Sequence, residues 1–489
     1  MSKYIPWLLV LVSFGYYSLL SAKEFTWIFV SADSGDWLAA SQMWFVPQPL
    51  GSPLFILLGH LLNLFPGDLV LKMTILLSCL PAAITVGLVY VITKKLTDRL
   101  DIALVCSLVT LGATILLTQA TILEEYAITI MFITLAYWLY LRDNKMLTGL
   151  VLGLGTAVHV IVLPIALLWL IVERRQWREH KGTIRVYAPV VAGFYAIILA
   201  IMASDAPPYM AGYLNLESLI IYLTATSGVI VGTGSIFDLP SLTLRTMGML
   251  VVSLGLAIIP LTYSLSRHMD RKVWILLVTV IFLLWYHITN LDPSTWTFLS
   301  LAIPSMAILA GLGLAKLNKR HLQAVIAGAL VLILVNGFLM NASTIAQDNP
   351  EAEETLSTYM DLPQDSALVL LSGHYSLATF YAHSLGRNDL VPVLYGTAEM
   401  GISKDYEEWL TEEYEVQGNT TVLWIESLLK QGRKVYIVGE EWRYENIGEE
   451  LWAEFQGSFL FQSPDELWIR EMYRTLYGGV NSSWILQME

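Results

Sequence analysis

Cysteine is almost absent: the 489 residues contain two, Cys79 and Cys106, and both sit inside long apolar runs. A disulfide framework and a cysteine-based metal site are therefore excluded. Charge is scarce as well. Asp, Glu, Lys and Arg make up 14% of the chain against 55% hydrophobic residues, and the mean hydropathy is +0.59. That balance excludes an ordinary soluble globular protein. No glycine-rich phosphate loop accompanies the strand-like runs, so nothing marks a nucleotide site. No inverted repeat of the kind that builds many transporters is visible either. What remains is an integral membrane protein.

The formal charge of −13 is spread unevenly. Residues 1–340 hold 20 Lys/Arg against 16 Asp/Glu, whereas residues 341–489 hold 8 against 25. Two regions meet near 341, and the acidic second one argues against nucleic acid or anionic lipid as its partner, because like charge repels.

A bilayer core takes about 20 apolar residues per helix, fewer where a helix is short or deforms the lipid. Eleven runs qualify: 4–20, 69–93, 101–119, 126–141, 146–158, 160–172, 185–202, 246–265, 273–289, 297–315 and 322–340. Every second loop between them is basic. Those loops hold 17 Lys/Arg and the opposite ones three, Lys23, Lys72 and Arg245. Since Lys and Arg mark the cytoplasmic side, the N-terminus is expected in the cytoplasm and residues 341–489 outside or in a lumen. The apolar run 53–65 is expected to be an interfacial or re-entrant helix, because counting it as a span would move Lys94, Lys95 and Arg99 to the outer side. Both flanks of the 27 residues between Lys145 and Glu173 are basic, so two short helices are expected there, reversing near His159. "LLSA" before Lys23 is weakly cleavage-like, but its flank has a single lysine and the segment is read as a span.

After 341, "ALVLLSG", "LVPVLYG" and "KVYIVGE" alternate with polar helical stretches such as "KDYEEWLTEEY". This predicts a small soluble α/β domain over 341–489, behind a transmembrane domain over 1–340 whose first outer loop is 21–68. The fold class expected is a polytopic α-helical membrane protein of about 11 spans with an extracytoplasmic α/β domain.

That topology returns one set of polar residues to the outer face: Asp33, Asp36, Gln48, His60, Glu124, Glu125, Tyr126, His159, Arg245, His287 and Asp292. Carboxylates in lipid cost about 2.5–3.5 kcal/mol each on insertion scales, so acids near a bilayer usually face a wet cavity. Each residue also has a plainer reading. Asp33 and Asp36 suit the start of the helix begun by "GDWLAASQMW". Glu124 and Glu125 can end a helix, His60 can pack at the interface, His159 and His287 can be satisfied helix-end histidines, and Asp292-Pro293 is a turn signal.

Their order along the chain is more informative. "SADSGDWLAASQMWFVPQPLGSPLFILLGHLLNLFP" resembles the first-loop signature of a family of GT-C glycosyltransferases, D-S-G-[DE] followed by H-P-P-G-Y-P-L and L-G-H. The family includes the protein O-mannosyltransferase that acts on plexin-type receptors. "EEYAI" is similar to its E-V-Y-A-L, "AVHV" to its N-H-L, and "YHITNLDPSTW" with the following span to its Y-x-x-x-D block. "ALVLLSGHYSLATFYAHSLGRNDLVPVLYG" looks like the family's C-terminal domain. The sequence departs from the pattern at Gln48 for histidine, Leu50 for proline and Val158 for asparagine.

The resemblance implies transfer of a hexose, mannose in that family, from a polyprenyl-phosphate donor in the membrane to a protein Ser/Thr or a lipid-linked glycan. It places Asp33 as general base, assisted by Asp36. Gln48, His60, Glu124, Tyr126, His159, Arg245, His287 and Asp292 are the candidate substrate-binding residues, with Arg245 the only fixed positive charge among them for a leaving phosphate. A monophosphate carrier needs no metal, whereas a pyrophosphate carrier would call for a divalent cation held by Asp33, Asp36 and Glu124. Two other classes stay open on sequence alone. One is a transporter with an outer-face ion path; the other is a non-catalytic scaffold whose acidic domain binds a partner.

Overall fold

The computed structural model describes residues 3–24, 26, 34–43, 52–174, 181–202, 239–264, 270–290, 296–342, 350–370, 379, 381–394, 411, 415, 421–440, 457–462 and 483–488. Helix α1, Ile5–Leu20, carries Pro6 in its first turn, where a missing N–H costs no hydrogen bond. Two short helices follow: α2 is Ser34–Met43 and α3 is Pro53–Asn63. With 11 residues, α3 is shorter than the roughly 20 that span a bilayer core.

The long helix α4, Leu69–Thr97, has a π-helical stretch at Thr74–Cys79. Asp68 caps it by accepting from the Leu71 N–H at 2.7 Å. It stops at Asp98, which takes a left-handed conformation with φ 56°, one that Asp tolerates better than most residues.

Run 101–119 is not a straight span. It folds as α5, Leu100–Gly112, and α6, Thr114–Ala120, bent by 61°. Ala113 between them is extended, and such a break inside apolar surroundings strands backbone groups that other helices must satisfy. Asn336 donates to Gly112 O at 2.9 Å and to Thr114 Oγ1 at 3.0 Å, and Ser253 Oγ accepts from the Ile115 N–H at 3.1 Å.

Next come α7, Tyr126–Leu141; α8, Lys145–Val158; α9, Val162–Val172; and α10, Lys181–Met202. The expected pair of short helices is therefore present, with extended His159 at the reversal. At Gly149 a Cβ would run into the Thr183 backbone, so glycine is what lets α8 and α10 approach this closely. The remaining helices of this region are α11, Leu239–Leu254; α12, Ile258–Ser264; α13, Arg271–Asn290; α14, Thr297–Ser300; α15, Ile303–Leu314; and α16, Lys319–Ala342. Run 297–315 is thus interrupted at Leu301 and Ala302. Each of the eleven apolar runs coincides with helix. Among the described residues four helices are long and apolar enough to cross a membrane by themselves, or five if the bent α5–α6 pair counts as one. The chain has the helical build of a multi-pass membrane protein.

Beyond α17, Pro350–Asp361, the described strands are β1, Ala367–Leu370; β2, Val391–Leu394; β3, Val435–Glu440; β4, Gly457–Gln462; and β5, Ser483–Met488, with α18, Thr421–Lys430, before β3. They form one sheet in the order β2-β1-β3-β5-β4. β1 pairs in parallel with β2 (Ala367 opposite Val391) and with β3 (Ala367 opposite Val435). These three are the runs the sequence marks as strands. The antiparallel β5 and β4 extend the sheet and carry no comparable signal. Most of "KDYEEWLTEEY" lies outside the described residues.

A single buried apolar cluster joins both regions. It contains Trp37, Phe55, Met73 and Val158 on one side and Tyr359, Val369 and Trp424 on the other. Burial and the Asp68 carboxylate push the Tyr381 phenol up to about 12, which sets the C-terminal unit beside the N-terminus of α4.

Candidate active site

The candidate site lies where α1 ends, α2 begins and α6 gives way to α7. Three backbone and side-chain contacts stitch these ends together. The Ala22 N–H donates to Thr121 O at 2.7 Å, Ser34 Oγ donates to Thr26 O at 2.8 Å, and Ser78 Oγ in the π-helical stretch donates to Glu124 O at 3.3 Å.

Inside this junction Asp36, Glu124 and Glu125 are 2%, 0% and 2% exposed. Buried carboxylates are costly unless donors or opposite charge meet them. Trp37 Nε1 donates to Glu124 Oε2 at 3.4 Å, and His159 Nε2 stands 3.6 Å from Glu125 Oε1. His159 Nδ1 accepts from the Ile161 N–H at 3.1 Å. That bond assigns the imidazole proton to Nε2, on the side of Glu125.

Aromatic rings wall the acids on one side. The Tyr126 ring lies 5.5 Å from the His159 ring and 5.5 Å, edge-on, from Phe298, and Phe298 packs edge-on against Tyr286 at 4.8 Å. Trp37 meets Phe55 of α3 edge-on at 5.4 Å. The rings hold the polar groups in a low-dielectric setting, where each donor or charge acts more strongly than in water.

Of the residues the sequence nominates, Asp36, Glu124, Tyr126 and His159 are brought together here. His60 stands at the edge of the junction, its Nδ1 3.0 Å from Ser41 O at the end of α2. Arg245 and His287 form a second group: His287 Nε2 lies 3.0 Å from Oγ1 of Thr246, the residue after Arg245, and Tyr286 beside it touches Phe298 of the first group. Asp33, Gln48 and Asp292 lie outside the described residues. Among those described, no three His, Cys, Asp or Glu side chains group as a metal site requires. Asp33, one of the three carboxylates the sequence offers a cation, is not among them.

Two contributors are missing from the sequence's candidate set. Trp37 is visible in hindsight, as an aromatic with a polar N–H directly after the acid motif. Phe298 has no signal, because an apolar residue opening an apolar run looks like any other.

The fold has solved counterparts. The crystal structure of ArnT from Cupriavidus metallidurans bound to undecaprenyl phosphate superposes with a TM-score of 0.62 at 12% identity, covering 99% of this chain and 97% of that one. ArnT from the same organism in the apo state gives 0.54 at 11% identity, covering 98% and 97%. At such identity the likeness is one of fold, and the fold is the GT-C class. A comparison with curated proteins finds no match. Residues 33–181 match the family model for the N-terminal domain of protein O-mannosyl-transferase TMEM260. Residues 33–181 are thus similar to an O-mannosyltransferase domain, on a chain with the fold of ArnT, and the two likenesses together point to a glycosyltransferase rather than to a transporter or a scaffold. The matched segment contains α2 and the whole Trp37, Glu124, Glu125, Tyr126 and His159 cluster.

Proposed function

We propose that the enzyme moves a hexose, mannose by family resemblance, from a polyprenyl-phosphate donor to an extracytoplasmic hydroxyl on a protein Ser/Thr or a lipid-linked glycan, with Asp33 as general base. A lipid carrier stays in the bilayer and a hydrophilic acceptor stays outside it, so the reacting atoms must meet at the interface. Asp33 belongs to the stretch of sequence between α1 and α2, one position before Ser34, in the segment where membrane and water meet on this reading.

The Asp33 carboxylate takes the acceptor hydroxyl proton as that oxygen bonds to the anomeric carbon. The bond from the anomeric carbon to the phosphate oxygen breaks, and its electron pair leaves with the lipid phosphate. A positioned base of this kind contributes about 10²–10⁴ in rate. Asp36 positions the acceptor, and Arg245 offsets the charge that develops on the phosphate. Glu124, held by Trp37, fixes α2 and with it the place of both aspartates. Gln48, His60, Tyr126, His159, His287 and Asp292 are assigned to the walls that receive donor and acceptor.

The observation that carries this reading is the burial of three carboxylates beside the first-loop helix, within the segment matched by the family model. The undecaprenyl phosphate bound by ArnT supports a polyprenyl-phosphate carrier here. The test is transfer by the purified chain from a panel of radiolabelled polyprenyl-phosphate sugars to Ser/Thr peptides and to lipid-linked glycans. Release of labelled glycoside from the mannosyl donor alone is the expected result; no transfer from any polyprenyl-phosphate sugar would sink the proposal.

A further inference from the structure

Helix α2 carries Asp36 in its first turn and is too short to keep its own place. Its 10 residues fall below the length at which an isolated helix persists in water, so its orientation is set by what it packs against. Ser34 to Ser41 are all buried, yet Trp37 and Leu38 are the only large apolar side chains among them. The first half of α2 is tied by Ser34 and Trp37. The second half rests on α3.

Two contacts follow one another along that crossing, four residues apart on both helices and so on one face of each. Trp37 meets the Phe55 ring edge-on, and Ser41 meets Gly59. A Cβ at Gly59 would run into Ser41 Oγ, with Ser41 Cβ at 2.9 Å and the Met73 methyl carbon at 2.7 Å. Ser41 has little room to give way, because its Oγ donates to Trp37 O at 2.6 Å within α2. Glycine is what allows this approach, and a large pair followed by a small pair fixes both the distance and the angle between the helices.

The next residue closes the end of α2. His60 Nδ1 lies 3.0 Å from Ser41 O, one of the last four carbonyls of the helix, which have no partner inside it. A carbonyl only accepts, so Nδ1 is the nitrogen that carries the proton and donates. Helix α3 is in turn fastened to α4, where Lys72 Nζ donates to Leu62 O at 3.0 Å and Met73 abuts Gly59. The helix that carries Asp36 is thus held, through α3, against a helix of 29 residues.

We propose that Gly59 and His60 are positioning residues for sugar transfer: as one lock between α3 and α2, they set the orientation of α2 and of Asp36. The proposal rests on the transfer reading above and gives His60 a role beyond the walls. A residue that acts through α2 changes turnover and leaves KM alone, whereas a group that binds substrate equally throughout the reaction changes KM.

The test uses the full purified chain and three variants, His60→Ala, His60→Asn and Gly59→Ala. Each is read by hydrogen exchange across residues 35–43 and by transfer from radiolabelled polyprenyl-phosphate mannose to a Ser/Thr peptide. Exchange should rise about three- to tenfold in His60→Ala, the effect of one lost hydrogen bond, and should rise in Gly59→Ala as well. In both, kcat should fall by a similar factor with KM for donor and acceptor unchanged. His60→Asn keeps an N–H that can donate to Ser41 O, and it should lie closer to the unaltered chain in both readouts. Unchanged exchange in His60→Ala overturns the lock. Faster exchange with unchanged kcat overturns the positioning role, and so does a raised KM at unchanged kcat, which would make His60 a substrate contact. Should Gly59→Ala fail to fold, the two His60 variants carry the test. If the unaltered chain transfers no sugar, the transfer reading fails by itself and exchange alone decides the lock.

Discussion

Trp37 Nε1 donates to the Glu124 carboxylate at 3.4 Å, joining two residues 87 positions apart in the chain. It is a tie between the helix that follows the acid motif and the loop before α7. Trp37→Phe keeps the aromatic packing against Phe55 and removes the N–H. A hydrogen bond to a charged group contributes about 1.5–3 kcal/mol, so kcat/KM for sugar transfer should fall by about tenfold or more if that energy holds the aspartates in place. The melting temperature reads out any general loss of stability. Normal transfer would mean the tie has no part in positioning.

Asp33→Asn should lower turnover by at least about 10², the lower end for a lost general base, because the amide keeps the shape but cannot take a proton. Asp36→Asn should do less, and the double change should fall short of the two effects combined if both acids serve one step. Kinetics of the three purified variants check this. Normal transfer by Asp33→Asn together with an inactive Asp36→Asn would give the base role to Asp36.

His159 holds the reversal between α8 and α9 through the Ile161 N–H. His159→Ala leaves that buried N–H without its acceptor, at a cost of about 1–3 kcal/mol. His159→Asn can offer an oxygen near the place of Nδ1. The alanine variant should melt several degrees lower than the asparagine variant in thermal unfolding. Equal melting of the two would remove the turn-holding role.

Arg387 gathers the end of α17. Its guanidinium donates to Tyr359 O at 2.6 Å, Met360 O at 2.7 Å and Pro363 O at 3.2 Å, and its Nε meets Asp389 Oδ1 at 2.9 Å. The same guanidinium holds the Asp389 carboxyl below the usual carboxylate range. A carboxyl depressed in the folded state contributes its stability fully above the ordinary value, near pH 4, and loses it as pH falls through the lower folded value. Hydrogen exchange across 350–394 should therefore rise as pH drops below about 4, after correction for intrinsic exchange. In Arg387→Ala exchange should be faster at neutral pH and should lose the Asp389 part of that acid dependence. Acid dependence identical to that of the unaltered chain would contradict the pairing.

The 17-to-3 distribution of basic residues between alternate loops predicts that residues 341–489 are extracytoplasmic. Protease added to intact right-side-out cells should remove them. Loss only after permeabilisation would invert the topology and move the proposed site to the other side of the membrane.

Much of this protein is legible in one dimension, because a bilayer imposes a length and an apolar composition on every helix. All eleven apolar runs are helical, run 53–65 gives the short helix α3, and three strands fall on the runs that signal them. The acids of the first two outer loops could be nominated for a similar reason: charge at the end of a greasy run needs an explanation. The bend between α5 and α6 could not be read, since Ala113 turns only because Asn336 and Ser253 arrive from far along the chain to meet the freed backbone groups. Nor could the antiparallel half of the sheet, whose pairing depends on register between distant segments. The sequence by itself determined a helical membrane protein with carboxylates gathered at helix ends and an acidic α/β tail. Only the tertiary structure decided that Trp37 meets Glu124, that His159 faces Glu125 with a fixed tautomer, and that buried Glu173 accepts from Tyr140. Apolar periodicity records what each helix buries, but hydrogen bonds between residues tens of positions apart exist only once the helices have packed.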